Sequence, residues 1–359
     1  MFERKKTAHS GTIIKVIGVG GAGGNAVNHM ESSGLPDIEF ICANTDAQAL
    51  TSTGAATRIQ LGQSGLGAGS DPIVGRESAI RERPRIADAL KGAHMVFITA
   101  GMGGGTGTGA APVVAEVARE LGILTVGVVS KPFEFEGARR MRVAEEGIRI
   151  LSKSVDSLVI VLNSRLEEVL GDDITQKQAF RAADDVLARA VAGIADIIKT
   201  PGMINVDFED VRTVMRQTGT AMMGTAIHSG ENRAIDAAQE AMACPLLDGT
   251  NLQGARGLLV NIAASEETLK LRETKQVMNL ICAQTSEDAI IKFGAVFDDS
   301  LGDAMRVTVV ATGLSLPTEA APGGVRGQAA GVAEPEQSAP VGDADAEYLF
   351  TPLVVDSGN

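Results

Sequence analysis

The sequence predicts an α/β protein. A parallel sheet with helices on both faces is joined by one long helix to a second, smaller α+β part, and a structureless tail follows. Three observations carry this. Short apolar runs alternate with helical patterns through the first half. Two of these runs open directly into glycine-rich loops that precede helices. Residues 315–346 lose almost every large apolar side chain.

Taken in order, Thr12–Ile17 is a short apolar run closed by glycine, which reads as a buried strand. Ala26–Glu31 has helical spacing. Glu39–Ala43 and Met95–Ala100 are further strands, the second running straight into glycine. Pro112–Leu121 carries Val113, Val114, Val117, Ala118 and Leu121 at helical spacing. Leu124–Ser130 and Ser157–Leu162 complete the run of buried strands. Gln176–Lys199 is the longest helical pattern, with Ala179, Ala183, Leu187, Val191 and Ile194 on one face, and Pro201-Gly202 ends it. Beyond it the pattern predicts helices at Glu209–Arg216, Arg233–Met242 and Leu271–Thr285. Strands are expected at Arg256–Ala263, Ile290–Val296 and Met305–Ala311. The expected divisions are a flexible N-terminus at 1–11, a first domain at 12–175 and the long helix at 176–200. A second domain at 201–314, a disordered linker at 315–346 and a terminal peptide at 347–359 follow.

Composition narrows the class. Glycine supplies 42 of 359 residues, where average usage would give about 25. It has no G-X-Y period, so a collagen is excluded. The formal net charge is −13, which disfavours nucleic acid as a partner. From Leu316 onward the chain has seven acids and one base, so almost half of that charge belongs to the tail. Cys42, Cys244 and Cys282 are odd in number and widely spaced, and read as buried free thiols of a reducing compartment. No apolar run is long enough to span a membrane, and no signal core opens the chain, so a cytoplasmic protein without membrane insertion is expected. His9, His29, His94 and His228 have no ligand spacing, and no protein metal site is expected.

The glycine surplus is concentrated. Gly18-Val19-Gly20-Gly21-Ala22-Gly23 satisfies G-x-G-x-x-G after a strand, a weak signal for a nucleotide phosphate at a helix N-terminus. Gly101-Met102-Gly103-Gly104-Gly105-Thr106-Gly107-Thr108-Gly109 is sharper. Such a segment has little packing value and a real entropy cost. It offers a row of N–H groups for an anion, helped by the helix dipole. It has no lysine, so it is not a P-loop. A third segment, Gly65–Pro72, is positioned to wrap the far side of a triphosphate.

Together these segments resemble the FtsZ family of bacterial tubulin-like cell-division GTPases. The ordered motifs are Gly20–Asn25, Asn44-Thr45-Asp46, Gly65–Pro72, the tubulin-like Gly103–Gly109, Lys131-Pro132-Phe133 and Asn205–Asp210. The similarity runs from about Ile13 to Leu314. It implies a tubulin-like fold with a GTP-binding domain, a central helix and a C-terminal domain. It implies a GTPase that binds GTP and GDP and polymerises head to tail with itself into protofilaments of the division ring at midcell.

The resemblance also assigns residues. Gly20, Gly21, Ala22, Gly23, Gly24, Asn25, Asn44 and Gly69 would lie on the nucleotide. Gly103, Gly104, Gly105, Thr106 and Gly107 would hold phosphate, and Glu136 and Arg140 would touch the ribose and phosphate region. Asn163 and Asp184 would read guanine, with Phe180 near the base. The chemistry agrees for guanine, because a carboxylate accepts two N–H bonds from its N1 and N2 edge. Asp184 and Asp185 point about 100° apart on a helix, so only one can face the site; Asp184 is preferred. Asp207 and Asp210, three apart at a helix start, would be the catalytic acids, inserted into the next subunit's pocket, with Mg2+ bridging β and γ phosphates. In isolation the same two acids read as ordinary helix caps.

Three features depart from the family pattern. Ile59–Gly65 is about three residues short. Asp71 adds an acid near the γ-phosphate loop. The end, Tyr348–Val355, matches the terminal peptide only in part, which bears on membrane-tether and regulator proteins as partners of the tail. Two other readings stay open at this stage. A dehydrogenase would use Gly18–Gly23 alone, and a non-hydrolysing filament would keep the fold without turnover.

Overall fold

The computed structural model describes residues 11–35, 37–171, 173–199, 202–204, 206–217, 219–243 and 252–314. Its elements, in order, are β1 (Ile14–Val19), α1 (Gly20–Ser32), β2 (Ile38–Asn44), α2 (Ala47–Thr51) and β3 (Thr57–Gln60). Next come α3 (Pro72–Arg81), α4 (Arg83–Leu90), β4 (Met95–Gly101), α5 (Gly105–Glu120), β5 (Leu124–Lys131) and α6 (Ala138–Leu151). Then follow β6 (Ser157–Leu162), α7 (Asn163–Leu170), the long α8 (Gln176–Lys199), β7 (Gly202–Ile204), α9 (Phe208–Met215) and β8 (Thr220–Ser229). The order ends with α10 (Arg233–Met242), β9 (Gly257–Ala264), α11 (Leu271–Ala283), β10 (Ile290–Phe297) and β11 (Ala304–Leu314).

All the described strands belong to one sheet, ordered β3-β2-β1-β4-β5-β6-β8-β11-β9-β10-β7. From β3 to β6 every pairing is parallel. Parallel strands are covered on both faces, which is why β1 and β4 read as near-continuous apolar runs. The second half is mixed, as expected: β11 is antiparallel to β8 and β9, while β10 is parallel to β9. Two residue pairs join the halves, Leu158 with Thr220 and Val159 with Ala221.

The core follows from this layering. On one face, Leu187, Val191 and Ile194 of α8 and Val27 and Met30 of α1 pack on Phe97, Val128 and Val159. On the other, Val113, Val114 and Val117 of α5 pack on Ile17, Ile98 and Val129. A third cluster holds α10 and α11 against β9 and β11. Each fully buried Val, Leu or Ile contributes about 1.5–3 kcal/mol.

Several expectations change. The two glycine segments are not loops before helices, because α1 begins at Gly20 and α5 at Gly105. The helices α2, α3, α4, α6 and α7 and the strands β3, β7 and β8, all absent from the sequence reading, are present. Cys42 is a buried free thiol, but Cys282 is exposed, since it falls outside the apolar stripe of α11. Cys244, Asn205, residues 1–10, the expected linker 315–346 and the terminal peptide 347–359 lie outside the described residues.

Candidate functional site

The carboxyl ends of β1, β2 and β4 lie side by side, and the chain leaves each of them through glycine or a small polar residue. This edge of a parallel sheet is where open α/β folds bind ligands. Three motifs converge there. The Thr45 and Thr106 hydroxyls are 2.6 Å apart. The Gly67 amide donates to the Thr45 carbonyl at 3.1 Å, and the Gly105 amide to the Gly69 carbonyl at 2.9 Å. The segments around Asn44, Gly69 and Gly105 are therefore tied to one another.

The helix starts are treated differently around this edge. Asp46 caps α2 by accepting from the Gln48 and Ala49 amides, and Asp71 caps α3 through the Ile73 amide at 2.9 Å. Neither α1 nor α5 has a side-chain cap. The first-turn N–H groups of a helix have no intrahelical partner. The Gly105 amide is taken by the Gly69 carbonyl, and the other first-turn N–H groups and the positive dipole ends of the two helices suit a polyphosphate. Asp71, expected as an extra acid near the phosphates, uses one carboxylate oxygen to cap its own helix.

Glycine serves two purposes here. Gly21, Gly24, Gly69 and Gly104 face open space, leaving backbone accessible. Gly105 and Gly109 are packing residues. A Cβ on Gly105 would lie 2.7–2.8 Å from the Ala68, Gly69 and Asp71 carbonyl oxygens, and one on Gly109 would overlap the Pro72 carbonyl. The segment therefore has packing value that the sequence reading denied it, because α3 lies almost backbone to backbone on α5. Gly20 takes φ +75°, and a Cβ there would meet the Gly107 amide at 2.9 Å. Gly20, Gly21, Gly24, Asn25 and Asn44 line one cleft, together with Asn28 and Thr53. The last two were missed, although Asn28 stands one turn from Asn25. Asn28 accepts from the Thr53 hydroxyl at 2.7 Å and shapes the cleft wall.

The remaining expected residues lie after β5 and in α6, α7 and α8. Glu136 accepts from the Phe133 amide at 2.9 Å and pairs with Arg140 at 3.1 Å. Arg140 lies against Gly103, whose φ of +100° keeps the loop close to it. Phe180 is 44% exposed and meets Phe133 edge-on with ring centroids 5.2 Å apart. An aromatic ring left half in water at a cleft is available to a planar base. Asn163 is buried at the start of α7, and its Oδ1 has no hydrogen-bond partner. A buried unpaired acceptor is open to a donor from a ligand or a water.

The adjacent acids of α8 separate clearly. Asp185 pairs with His29 of α1 at 3.2 Å and with Arg189. Asp184 has no hydrogen bond or ion pair among the described residues, and burial pushes its pKa up to about 6 against the opposing pull of His29. Asp184 is thus the acid left unengaged.

Asp207 and Asp210 are not part of this cleft. Asp207 caps α9 by accepting from the Asp210 amide at 2.8 Å, and Asp210 pairs with Lys292 of β10 at 2.7 Å. Phe208 between them meets the ring of His94 at 6.1 Å. His94 immediately precedes β4, whereas the glycine segment follows that strand. The acids and the cradle therefore sit at opposite edges of the sheet, about 20 Å apart along β4.

The family model for the tubulin/FtsZ GTPase domain matches residues 13–171, and that for the FtsZ C-terminal domain matches residues 219–315. The cell division protein FtsZ of Pseudomonas putida is 58% identical over 322 residues, 89% of this chain and 81% of that protein. The chain belongs to the FtsZ family. The FtsZ of Pseudomonas aeruginosa is 56% identical over 94% of this chain and 87% of its own length. The empty FtsZ dimer of M. jannaschii superposes with a TM-score of 0.79 at 40% identity, covering 85% of this chain and 89% of that one. As an FtsZ chain with the family's GTPase domain, it binds guanine nucleotide and is a GTPase. The dehydrogenase reading is thereby excluded.

Proposed function

We propose that this chain assembles head to tail with copies of itself into the filament of bacterial cell division, and that Asp207 and Asp210 of one subunit complete GTP hydrolysis in the pocket of the next. The observation that carries this is the separation of the cradle from the acids. A single subunit holds both halves of a hydrolytic site but cannot bring them together. Stacking the acid edge of one copy on the cradle edge of another does so.

In the pocket, the uncapped starts of α1 and α5 hold the polyphosphate, with the Thr106 hydroxyl beside them. Asp184 accepts from the guanine edge, Asn163 offers its unpaired carbonyl to a base donor, and Phe180 covers the ring. Glu136 and Arg140 border the ribose. No cluster of three or more metal-ligating side chains occurs among the described residues, and Asp46 and Asp71 are occupied as caps. Mg2+ fits this donor set as an ion carried by phosphate oxygens and water, which is its usual habit. There it would neutralise charge between the β and γ phosphates. Asp207 and Asp210, arriving from the neighbour, orient and polarise the attacking water. Tether and regulator proteins on the tail, and a location at midcell, belong to the same reading. No helix among the described residues is long and apolar enough to cross a membrane, so attachment would be through such partners.

Phosphate release measured against protein concentration tests the proposal. Turnover per subunit should be near zero at high dilution and rise steeply where light scattering reports assembly. Asp210→Ala should bind GTP and assemble, yet release phosphate at least tenfold more slowly. Turnover independent of concentration would remove the shared site.

A further inference from the structure

The acid edge contains a cation that the reaction scheme above does not use. Lys292 lies in β10, and its ammonium is 2.7 Å from an Asp210 carboxylate oxygen. The two side chains are 38% and 32% exposed, so the pair is neither free in water nor sealed from it. Its placement follows from the fold. Residues two apart on a strand share a face, so Lys292 faces the same way as Gly294. A Cβ on Gly294 would lie 3.2 Å from Val206 and 3.3 Å from the Ile204 carbonyl. The same strand pairs with β7 through Ala295 and Ile204. β10 is therefore the floor on which the segment leading to Asp207 rests, and Lys292 rises from that floor to Asp210.

The local charges explain why a cation belongs there. Asp207, Glu209 and Asp210 lie within four residues at one helix start. Arg212 engages Glu209 at 3.3 Å, which leaves Lys292 as the partner of Asp210. The Asp210 carboxylate, with Asp207 beyond it, raises the Lys292 pKa, so the lysine stays charged at neutral pH. An acid brought against a triphosphate meets like charge, and a neighbouring cation offsets part of that repulsion.

We propose that Lys292 is a positioning residue for hydrolysis: it fixes the Asp210 carboxylate in one orientation and screens it as this edge docks on a neighbour's triphosphate. This rests on the shared-site reading. A lysine–carboxylate contact of this kind orders a side chain that otherwise samples several rotamers. It acts only at the acid edge, so the subunit's own nucleotide pocket is independent of it.

The full-length chain is compared with Lys292→Met, Lys292→Arg and Asp210→Ala. Calorimetric titration with a non-hydrolysable GTP analogue, below the assembly concentration, reports the pocket and the fold. Phosphate release divided by sedimented polymer reports the reaction. K292M should bind the analogue within twofold of wild type and turn over at least fivefold more slowly per assembled subunit, and K292R should recover to within twofold of wild type. Wild-type turnover in K292M overturns the inference, and so does K292R as impaired as K292M, because then charge is not what acts. If K292M loses analogue binding, Lys292→Gln takes its place under the same criteria. Asp210→Ala separates the two claims. Wild-type turnover in that variant defeats the shared site itself, whereas a silent D210A beside an active K292M defeats only the role of Lys292.

Discussion

At the residue scale the two adjacent acids of α8 are the instructive case. Helical geometry alone says that Asp184 and Asp185 face different ways. It does not say which one faces the base, because that depends on α1, remote in sequence. His29 and Arg189 take Asp185, and burial leaves Asp184 with a pKa near 6. The sign of its pH effects follows. A carboxyl whose pKa is raised in the folded state binds its proton more tightly there than in the unfolded chain. The contribution of Asp184 to the stability of the nucleotide-free protein therefore grows as pH falls through about 6 toward about 4, and levels off below. Asp184→Asn should abolish that slope and add about 1–3 kcal/mol at pH 7, read by chemical denaturation at several pH values. GTP affinity should run the other way, falling as pH drops through about 6, because the protonated acid accepts poorly. The same substitution should weaken GTP binding about 30-fold at pH 7, as expected for losing charged hydrogen bonds of about 2 kcal/mol. A titration showing equal affinity for wild type and variant would remove Asp184 from the base site.

At the scale of elements, the strongest patterns were legible. The continuous apolar strands β4, β5 and β6 and the long stripe of α8 appear where the sequence placed them, to within a residue or two. The omissions have physical reasons. β8 reads Thr-Ala-Met-Met-Gly-Thr-Ala-Ile-His-Ser, which mixes good and poor strand formers, and it is a strand because β6 and β11 supply partners. α3 has little apolar periodicity and rests on α5 through glycine, a kind of packing that leaves no apolar stripe to read. The twofold use of glycine makes a sharp prediction. Gly109→Ala should lower stability by about 2–3 kcal/mol, since the added methyl meets backbone that cannot move aside. Gly104→Ala faces open space and should change stability by less than about 1 kcal/mol while weakening GTP binding. Thermal unfolding with and without GTP distinguishes them. The buried Arg233–Glu273 pair, which fastens α10 to α11, should behave as a structural clamp. Arg233→Met, leaving Glu273 buried and unpaired, should cost about 3–5 kcal/mol.

At the scale of the whole molecule, one uninterrupted sheet carries the cradle at one edge and the acids at the other. Residue patterns alone displayed both sets but not their separation, which only the family resemblance implied; it depends on α8 running the depth of the sheet and delivering the chain to the far edge. This arrangement predicts complementation. Asp210→Ala has a sound pocket and a defective acid edge, and Asp184→Asn has the reverse. At GTP concentrations too low to fill the weakened Asp184→Asn pocket, each alone should release little phosphate, and a mixture should release more than either in the assembly range. A mixture as inactive as its components would place both halves of the site in one subunit. The separation also reaches into the kinetics of the polymer. A row of n subunits contains only n − 1 completed junctions. On the shared-site proposal, the subunit whose cradle faces solvent would keep its GTP for want of a neighbour. Each filament would then end in one pocket that lacks the neighbour's acids, and cutting a filament in two would open one more such pocket. Turnover per subunit should fall as filaments are shortened, even when the amount of polymer stays constant.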